Sequence, residues 1–211
     1  MGVGVTFYGP LRAEKAEGFE ATPAWKVHGT PADCVKVGIN GVLDSHPDLI
    51  VSGINHGPND GRGIFSSGTA GCVIQGTLFG VPGIAFSYTC CNTPSFPHVK
   101  EYLGPIVQYV IDNPLPKGTF LNVNFPNKDI QGVRLARQGL SFWRETLRKE
   151  LHPEGHFDFH LDELPSDFDE HPDSDSALLE KGFITAVPIH VRELTDHAHF
   201  QEKKDHFDNH F

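Results

Sequence analysis

The chain has 211 residues, with 17 Lys and Arg against 27 Asp and Glu, a formal net charge of -10 and a pI near 5.6. Sequence-independent affinity for DNA or RNA comes from Lys and Arg neutralising phosphates, so this balance argues against a nucleic-acid binder. It leaves open a small anionic ligand, which backbone N–H groups bind without a basic surface. At 38% hydrophobic residues the chain is an ordinary globular one, and no run approaches the roughly 20 consecutive apolar residues that cross a bilayer. The start, Met1 to Thr6, lacks the charged n-region and apolar h-region of a secretory signal, so a soluble cytoplasmic protein with no membrane partner is expected.

Residues 3 to 8 and 24 to 28 are short β-favouring stretches joined by a polar link with Gly18 and Pro23, which predicts two strands. Thr30-Pro31-Ala32-Asp33 then opens a helix, with Thr30 as cap and Pro31 at a position whose N–H would go unused. Apolar Cys34, Val35, Val37, Ile39, Val42 and Leu43 continue it to about Asp44. The compact run Pro47 to Ile54 reads as a buried parallel strand, residues 55 to 66 as a glycine-rich loop, Gly68 to Gly80 as a helix and Val81 to Ser87 as a strand. That order predicts a βαβ unit. It repeats with a helical pattern over 98 to 113 and a strand Phe120 to Phe125 that Pro126 stops.

The fold class expected is therefore α/β, a doubly wound, Rossmann-like parallel sheet over residues 1 to 126, followed by a β-rich extension over 127 to 211 within one domain. In the extension, strands are expected at Gly132 to Gln138 and Gly182 to Ile189. Residues 150 to 176, with Asp167, Asp169, Glu170, Asp173 and Asp175, read as an irregular, solvated acidic loop, and the His-rich end as a solvated tail. Of the four cysteines, Cys34 and Cys72 are expected as small buried hydrophobes, and the adjacent Cys90 and Cys91 as loop thiols. Reduced thiols are predicted throughout. Trp25 and Trp143 are read as core or interface aromatics.

In open parallel sheets, ligands bind beyond the carboxyl ends of the strands. Asn55 stands there, and Asn55-His56-Gly57-Pro58-Asn59-Asp60-Gly61-Arg62-Gly63 offers side-chain oxygens among glycines. Ser66-Ser67-Gly68-Thr69 begins the next helix, where hydroxyls, amides and the positive dipole end suit a phosphate. The residues alone leave an anion site and a plain βα connection, built from the same residue types, as alternatives.

The segment Pro47-Asp48-Leu49-Ile50-Val51-Ser52-Gly53-Ile54-Asn55-His56-Gly57-Pro58-Asn59 resembles a pattern of the SurE family, and Ser67-Gly68-Thr69 resembles its following S-G-T. Gly29 to Val35, Leu121 to Pro126, and Ser174 to Ala177 with Gly182 to Ile189 are similar to three further motifs of that family, in the same order. The resemblance implies a metal-dependent phosphomonoesterase of nucleoside 5'-monophosphates, and of 3'-monophosphates, with one divalent ion, Mn²⁺ or Mg²⁺. It further implies a homodimer or homotetramer, with the C-terminal region exchanged between subunits. On matched positions, Asn55 is a metal ligand, and Asn59, Ser67, Gly68 and Thr69 line the phosphate pocket; Asn55, Asn59 and Ser67 are the catalytic candidates. The family's adjacent aspartates near the N-terminus have no counterpart, since no Asp-Asp pair occurs in the chain. The first βαβ portion of the family fold is likewise unmatched, so a piece of a longer protein with little activity of its own is expected. The alternative is a non-catalytic nucleotide-binding or oligomerisation module. His56 is read as the rim of the pocket, with Asp60 and Arg62 closer to the site, where Arg62 either helps to bind phosphate or is a solvated loop residue.

Overall fold

The computed structural model describes residues 2–89, 96, 98–142, 144–163 and 168–210. Its centre is a five-stranded sheet in the order β3 (Ile50–His56), β4 (Gly83–Tyr88), β5 (Thr119–Phe125), β9 (Phe183–His190) and β6 (Gly132–Leu135). The pairs β3 with β4 and β4 with β5 are parallel, as the βαβ reading requires. β9 runs antiparallel to β5 and parallel to β6, so the sheet is mixed. Residues beyond 126 thus supply two strands of the same sheet. Among the described residues β3 pairs with β4 alone, and Val51 on it is 52% exposed.

Helices cover both faces. α2 (Gly68–Leu78) lies on one, where Ala70 and Val73 pack with Ile64, Ala85 and Phe120. α3 (Lys100–Asp112) lies on the other, where Val99, Ile106 and Val110 meet Ile84, Phe86, Leu121, Val123 and Phe125. Neighbouring residues 84 and 85, and 120 and 121, therefore serve opposite faces, as the period of a strand dictates. That is why β4 and β5 are buried along their whole length and read as continuous apolar runs. α2 approaches the sheet closely because Gly76 has no side chain: a Cβ there would lie 2.2 Å from Cδ1 of Ile50.

The helix at residue 30 opens as predicted but is shorter, with α1 (Pro31–Val37) giving way to a π-turn over Gly38–Val42. Thr30 Oγ1 accepts from the Asp33 N–H at 3.2 Å while Asp33 Oδ2 accepts from the Thr30 N–H at 2.9 Å, a reciprocal capping box. Asp33 does more. Its Oδ1 accepts the Thr6 N–H at 2.8 Å and its Oδ2 the Thr6 hydroxyl at 2.7 Å. Burial of this carboxyl would raise its pKa, but the hydrogen bonds from Thr6 and Thr30 prevail and hold it at about 2.

The same bonds explain a correction. Residues 3 to 8 form no strand, because Thr6 is tied to the α1 cap and Lys36 Nζ donates to the Thr6 carbonyl at 2.7 Å, leaving this segment as a strap. The first strand is β1 (Arg12–Lys15), antiparallel to β2 (Trp25–His28). Trp25 is exposed, as is Cys34, so neither is a core residue; Cys72 is half-buried, with Sγ donating to the Pro31 carbonyl at 3.1 Å. Cys34 and Cys72 are free thiols whose pKa burial pushes up. Cys90, Cys91, Trp143 and Asp167 lie outside the described residues.

The second correction concerns residues 150 to 176. β7 (Glu145–Leu151) and β8 (Phe157–Glu163) form an antiparallel hairpin, and α4 (Asp175–Glu180), capped by Ser174, precedes β9. The terminal segment is likewise ordered as α5 (His197–Asp208), capped by Asp196 and exposed along its length, so solvation was foreseen and the helix was not.

Candidate anion site at the head of α2

The site begins with a bulge. Ser52 is level with Ala85 and Asn55 with Ser87, so Gly53 and Ile54 stand opposite the single residue Phe86. Gly53 has a φ of 108°, and a Cβ on it would lie 2.3 Å from the Phe86 carbonyl oxygen; only glycine fits. A bulge re-aims the side chains after it, and the first polar one is Asn55. Its Nδ2 donates to the Gly57 carbonyl at 2.9 Å, which keeps the amide at the start of the loop.

Asn59 is buried beneath that loop. Its N–H donates to Asn124 Oδ1 at 2.8 Å, its carbonyl accepts from Asn122 Nδ2 at 2.8 Å, and its Nδ2 donates to Ser87 Oγ at 2.6 Å. The motif asparagines of β5 therefore reach the loop as a polar floor. Asn122 Oδ1 and Asn124 Nδ2 are buried with no hydrogen-bond partner among the described residues. This geometry makes Asn59 an anchor of the loop, with one of its two amide hydrogens engaged by Ser87.

A 3-10 turn over Gly61–Ser66 leads to Ser67, the N-cap of α2. Ser67 Oγ accepts from the Ala70 N–H at 3.0 Å, so its own proton stays available to donate. The first N–H groups of a helix have no partner within it, and with Ala70 satisfied, those of Gly68 and Thr69 remain, at the positive end of the dipole. Ser67 and Gly68 are buried and Thr69 half-buried, so their donors are sheltered. Thus Ser67, Gly68 and Thr69 stand together at the head of α2. Asn55 stands at the head of the same loop, at the carboxyl ends of β3, β4 and β5.

Other loop residues are committed elsewhere. Arg62 Nη1 donates to Gln138 Oε1 at 3.3 Å, and Gln138 Nε2 donates to the Gly61 carbonyl at 2.7 Å. Asp60 Oδ2 accepts the Ser176 hydroxyl at 2.6 Å. His56 is exposed and stacks at a tilt on Phe96, with centroids 4.6 Å apart.

Asp175 is the residue that sequence reasoning missed. Read as part of a solvated acidic loop, it is 0% exposed. Its Oδ2 accepts the Gly61 N–H at 3.0 Å, and its Oδ1 accepts the N–H groups of Gly139 at 2.8 Å and Ser176 at 2.9 Å. Burial raises its pKa, the Asp60 carboxylate adds to the rise, and the backbone donors oppose it. Glu170 is engaged too, its Oε1 accepting the N–H groups of Leu140 and Ser141 at 2.8 and 2.7 Å. Two signals were available, the motif resemblance over Ser174 to Ala177 and a serine before a helix, since Ser174 accepts from the Ala177 N–H at 3.2 Å. An open cleft of about 560 Å³ adjoins this network, lined among others by Pro58, Asp60, Asn127, Ser141, Phe168 and Ser176.

A family described as Survival protein SurE matches residues 1–145. The chain belongs to the SurE family. It is 44% identical over 209 residues to the 5'-nucleotidase SurE of Protochlamydia amoebophila, covering 97% of this chain and 80% of the relative. Identity to the 5'-nucleotidase SurE of Microcystis aeruginosa is 38% over 215 residues, 95% of this chain and 79% of that protein. The crystal structure of the Sure protein from Aquifex aeolicus is similar with a TM-score of 0.82 at 32% identity, over 97% of this chain and 82% of that one. The α/β fold with helices on both sides of a mixed sheet is thus the SurE fold. Among the described residues no helix is long and apolar enough to cross a membrane.

Proposed function

We infer that the chain is a phosphomonoesterase acting on nucleoside 5'-monophosphates, with 3'-monophosphates as further substrates, water and the ester giving nucleoside and phosphate. The observation that carries this reading is the head of α2, where the Ser67 hydroxyl accepts from Ala70 and leaves its proton and the Gly68 and Thr69 N–H groups for an anion. The names of the relatives, 5'-nucleotidase SurE, support the substrate class. In the mechanism these donors bind the phosphoryl oxygens and stabilise charge as it shifts during transfer. Asn59, held by Asn122, Asn124 and Ser87, fixes the loop that presents them. The cleft beside Pro58 and Asp60 is large enough for the nucleoside, with Phe168 offering an aromatic face.

The Mn²⁺ or Mg²⁺ of the resemblance finds a poor fit at Asn55. That residue brings one amide oxygen, whereas Mg²⁺ demands octahedral oxygen coordination, usually with carboxylates. Asp60 and Asp175 are occupied by Ser176 and by backbone N–H groups. Among the described residues the group of His, Cys, Asp and Glu close enough to share an ion is at residues 152 to 156, not at Asn55. This donor set favours the second reading, a nucleotide-binding module without catalysis.

The chain with Thr69→Pro separates a phosphate cradle from a plain connection, because proline is tolerated in the first helical turn and removes one N–H. One hydrogen bond to a charged group contributes about 1.5–3 kcal/mol, so calorimetric affinity for adenosine monophosphate should fall roughly ten- to hundredfold. Unchanged affinity would overturn the assignment of the site. Phosphate release from the nucleotide with Mn²⁺ then distinguishes the enzyme from the module: turnover lost in Asn55→Ala supports the first, and metal-independent binding without turnover the second.

A cytoplasmic location is supported by the free thiols Cys34 and Cys72. A homodimer or homotetramer is supported by the exposed Leu147, Leu151, Phe157, Phe159 and Leu161, which share one face of the β7–β8 hairpin. Sedimentation velocity checks it, a monomer at all concentrations being the contrary result.

A further inference from the structure

The tip of the β7–β8 hairpin reads His152-Pro153-Glu154-Gly155-His156. The two histidines are cross-strand neighbours, since the His152 N–H donates to the His156 carbonyl at 2.8 Å, one residue beyond the pair Leu151 and Phe157. Between them the turn is closed by the Gly155 N–H donating to the His152 carbonyl at 2.9 Å, with Gly155 at a φ of 90°. Cross-strand neighbours project from the same face, and here the imidazoles stack with centroids 4.2 Å apart and planes at 17°. Glu154 projects from the turn, and one ligand atom from each of His152, Glu154 and His156 lies within 4.8 Å of the others.

We propose that this tip is a binding site for a transition-metal dication of the zinc, cobalt and nickel class, held by His152, Glu154 and His156. Two imidazoles and one carboxylate form a donor set that suits these ions and leaves a coordination position for water, whereas Mg²⁺ and Ca²⁺ prefer oxygen alone. The ring nitrogens are arranged for it. His152 Nδ1 accepts the Glu154 N–H at 3.2 Å, so its lone pair already faces the turn, and ligation exchanges one long hydrogen bond for a metal bond without a change of tautomer. Asp158 Oδ1 stands 3.8 Å from His156 Nε2, favouring the proton on that nitrogen and the lone pair on Nδ1, as carboxylates do behind metal-bound histidines. Binding requires the two rings to rotate out of their stack, starting from ligand atoms within 4.8 Å of one another. Glu150, paired across the strands with Asp158, lies on the same face, with His160 Nε2 3.2 Å and Arg148 Nη1 3.5 Å from its Oε2.

The site is independent of the anion site, being built on a different element. Its consequence is local: among the described residues β7 and β8 pair only with each other, and a two-stranded hairpin is marginal alone, so an ion across its tip would clamp it shut.

The test is calorimetric titration of the whole chain, stripped by a chelator, with Zn²⁺ or Co²⁺. One site is expected whose affinity falls as pH drops through the imidazole range, with absorption from the cobalt complex. His156→Gln should weaken binding at least tenfold, His152→Gln with His156→Gln should abolish that site, and Glu154→Gln should weaken it severalfold. Hydrogen exchange of the hairpin amides should slow on adding Zn²⁺ in the parent and not in the double variant. Unaltered affinity in the double variant would assign the ion to other histidines, and no binding by the parent would leave only a stacked pair; either result overturns the proposal. Both histidines are outside the core, so circular dichroism of the variants should match the parent.

Discussion

Asp33 and Asp175 are two fully buried carboxylates with opposite electrostatics, and the hydrogen bonds around them explain why. Asp33 is held at about 2 by donors from Thr6 and Thr30 that outweigh its burial. A depressed native pKa stabilises the fold above the ordinary value of 3.8, and that contribution is lost as pH falls through about 2. Asp33→Asn should flatten the acid limb of a stability profile measured by urea unfolding between those values, and it should release the strap at Thr6. Asp175 behaves in reverse, since burial and Asp60 raise its pKa. Its ionisation costs stability, a cost that sets in as pH rises above the ordinary value and is complete above the raised one. Asp175→Asn removes this dependence but turns an amide nitrogen toward backbone donors, leaving a buried N–H unpaired at about 1–3 kcal/mol. Faster hydrogen exchange at Gly61 with weaker nucleotide binding is the expected outcome; unaltered exchange would show that the loop does not depend on this carboxylate.

At the scale of elements, what the sequence disclosed was whatever is encoded locally. Thr30 and Pro31 bracket α1, Ser67 caps α2, and the apolar runs of β4 and β5 are buried on both faces, each readable from neighbours a few residues apart. The hairpin was hidden because Leu147, Lys149, Leu151, Phe157, Phe159 and Leu161 on one face are interleaved with Arg148, Glu150, Asp158 and His160 on the other, so no apolar run marks either strand. The segment 3 to 8 failed for the opposite reason: it is β-favouring in sequence, but its donors are taken by Asp33, a partner 27 positions away. The placement of Asn55 near the carboxyl end of β3, and of Ser67, Gly68 and Thr69 at the head of α2, was legible from the local pattern. The anchoring of Asn59 by Asn122 and Asn124 was not, since those contacts span more than 60 residues. Two substitutions probe this level. Phe86→Ala, at a position where α3 meets the sheet, should cost about 3–5 kcal/mol in denaturant unfolding. Gly61→Ala places a Cβ 2.3 Å from the Ser141 carbonyl oxygen at a φ of 49°, and should loosen nucleotide binding while leaving most of the core intact.

For the whole molecule, the mixed sheet matters more than its parallel half. β9 enters beside β5 from the far end of the sequence and carries α4 ahead of it, which brings Asp175 to the loop that opens α2. A chain ending after β5 would retain the anion-binding residues and lack their brace. Truncation at residue 126 should therefore abolish the cooperative unfolding transition, because β5 would then expose on one side the edge that β9 covers. A transition retained by that fragment would mean that β6 and β9 are dispensable.

The bond from Gly61 to Asp175 joins positions 114 apart. At 5–20 residues per second, a ribosome needs roughly 6–23 seconds to travel from one to the other. Ser87, Asn122 and Asn124 emerge earlier and hold Asn59, but Gly61 waits for its partner, so the loop is completed late in synthesis, when the α4 aspartate emerges and closes the latch.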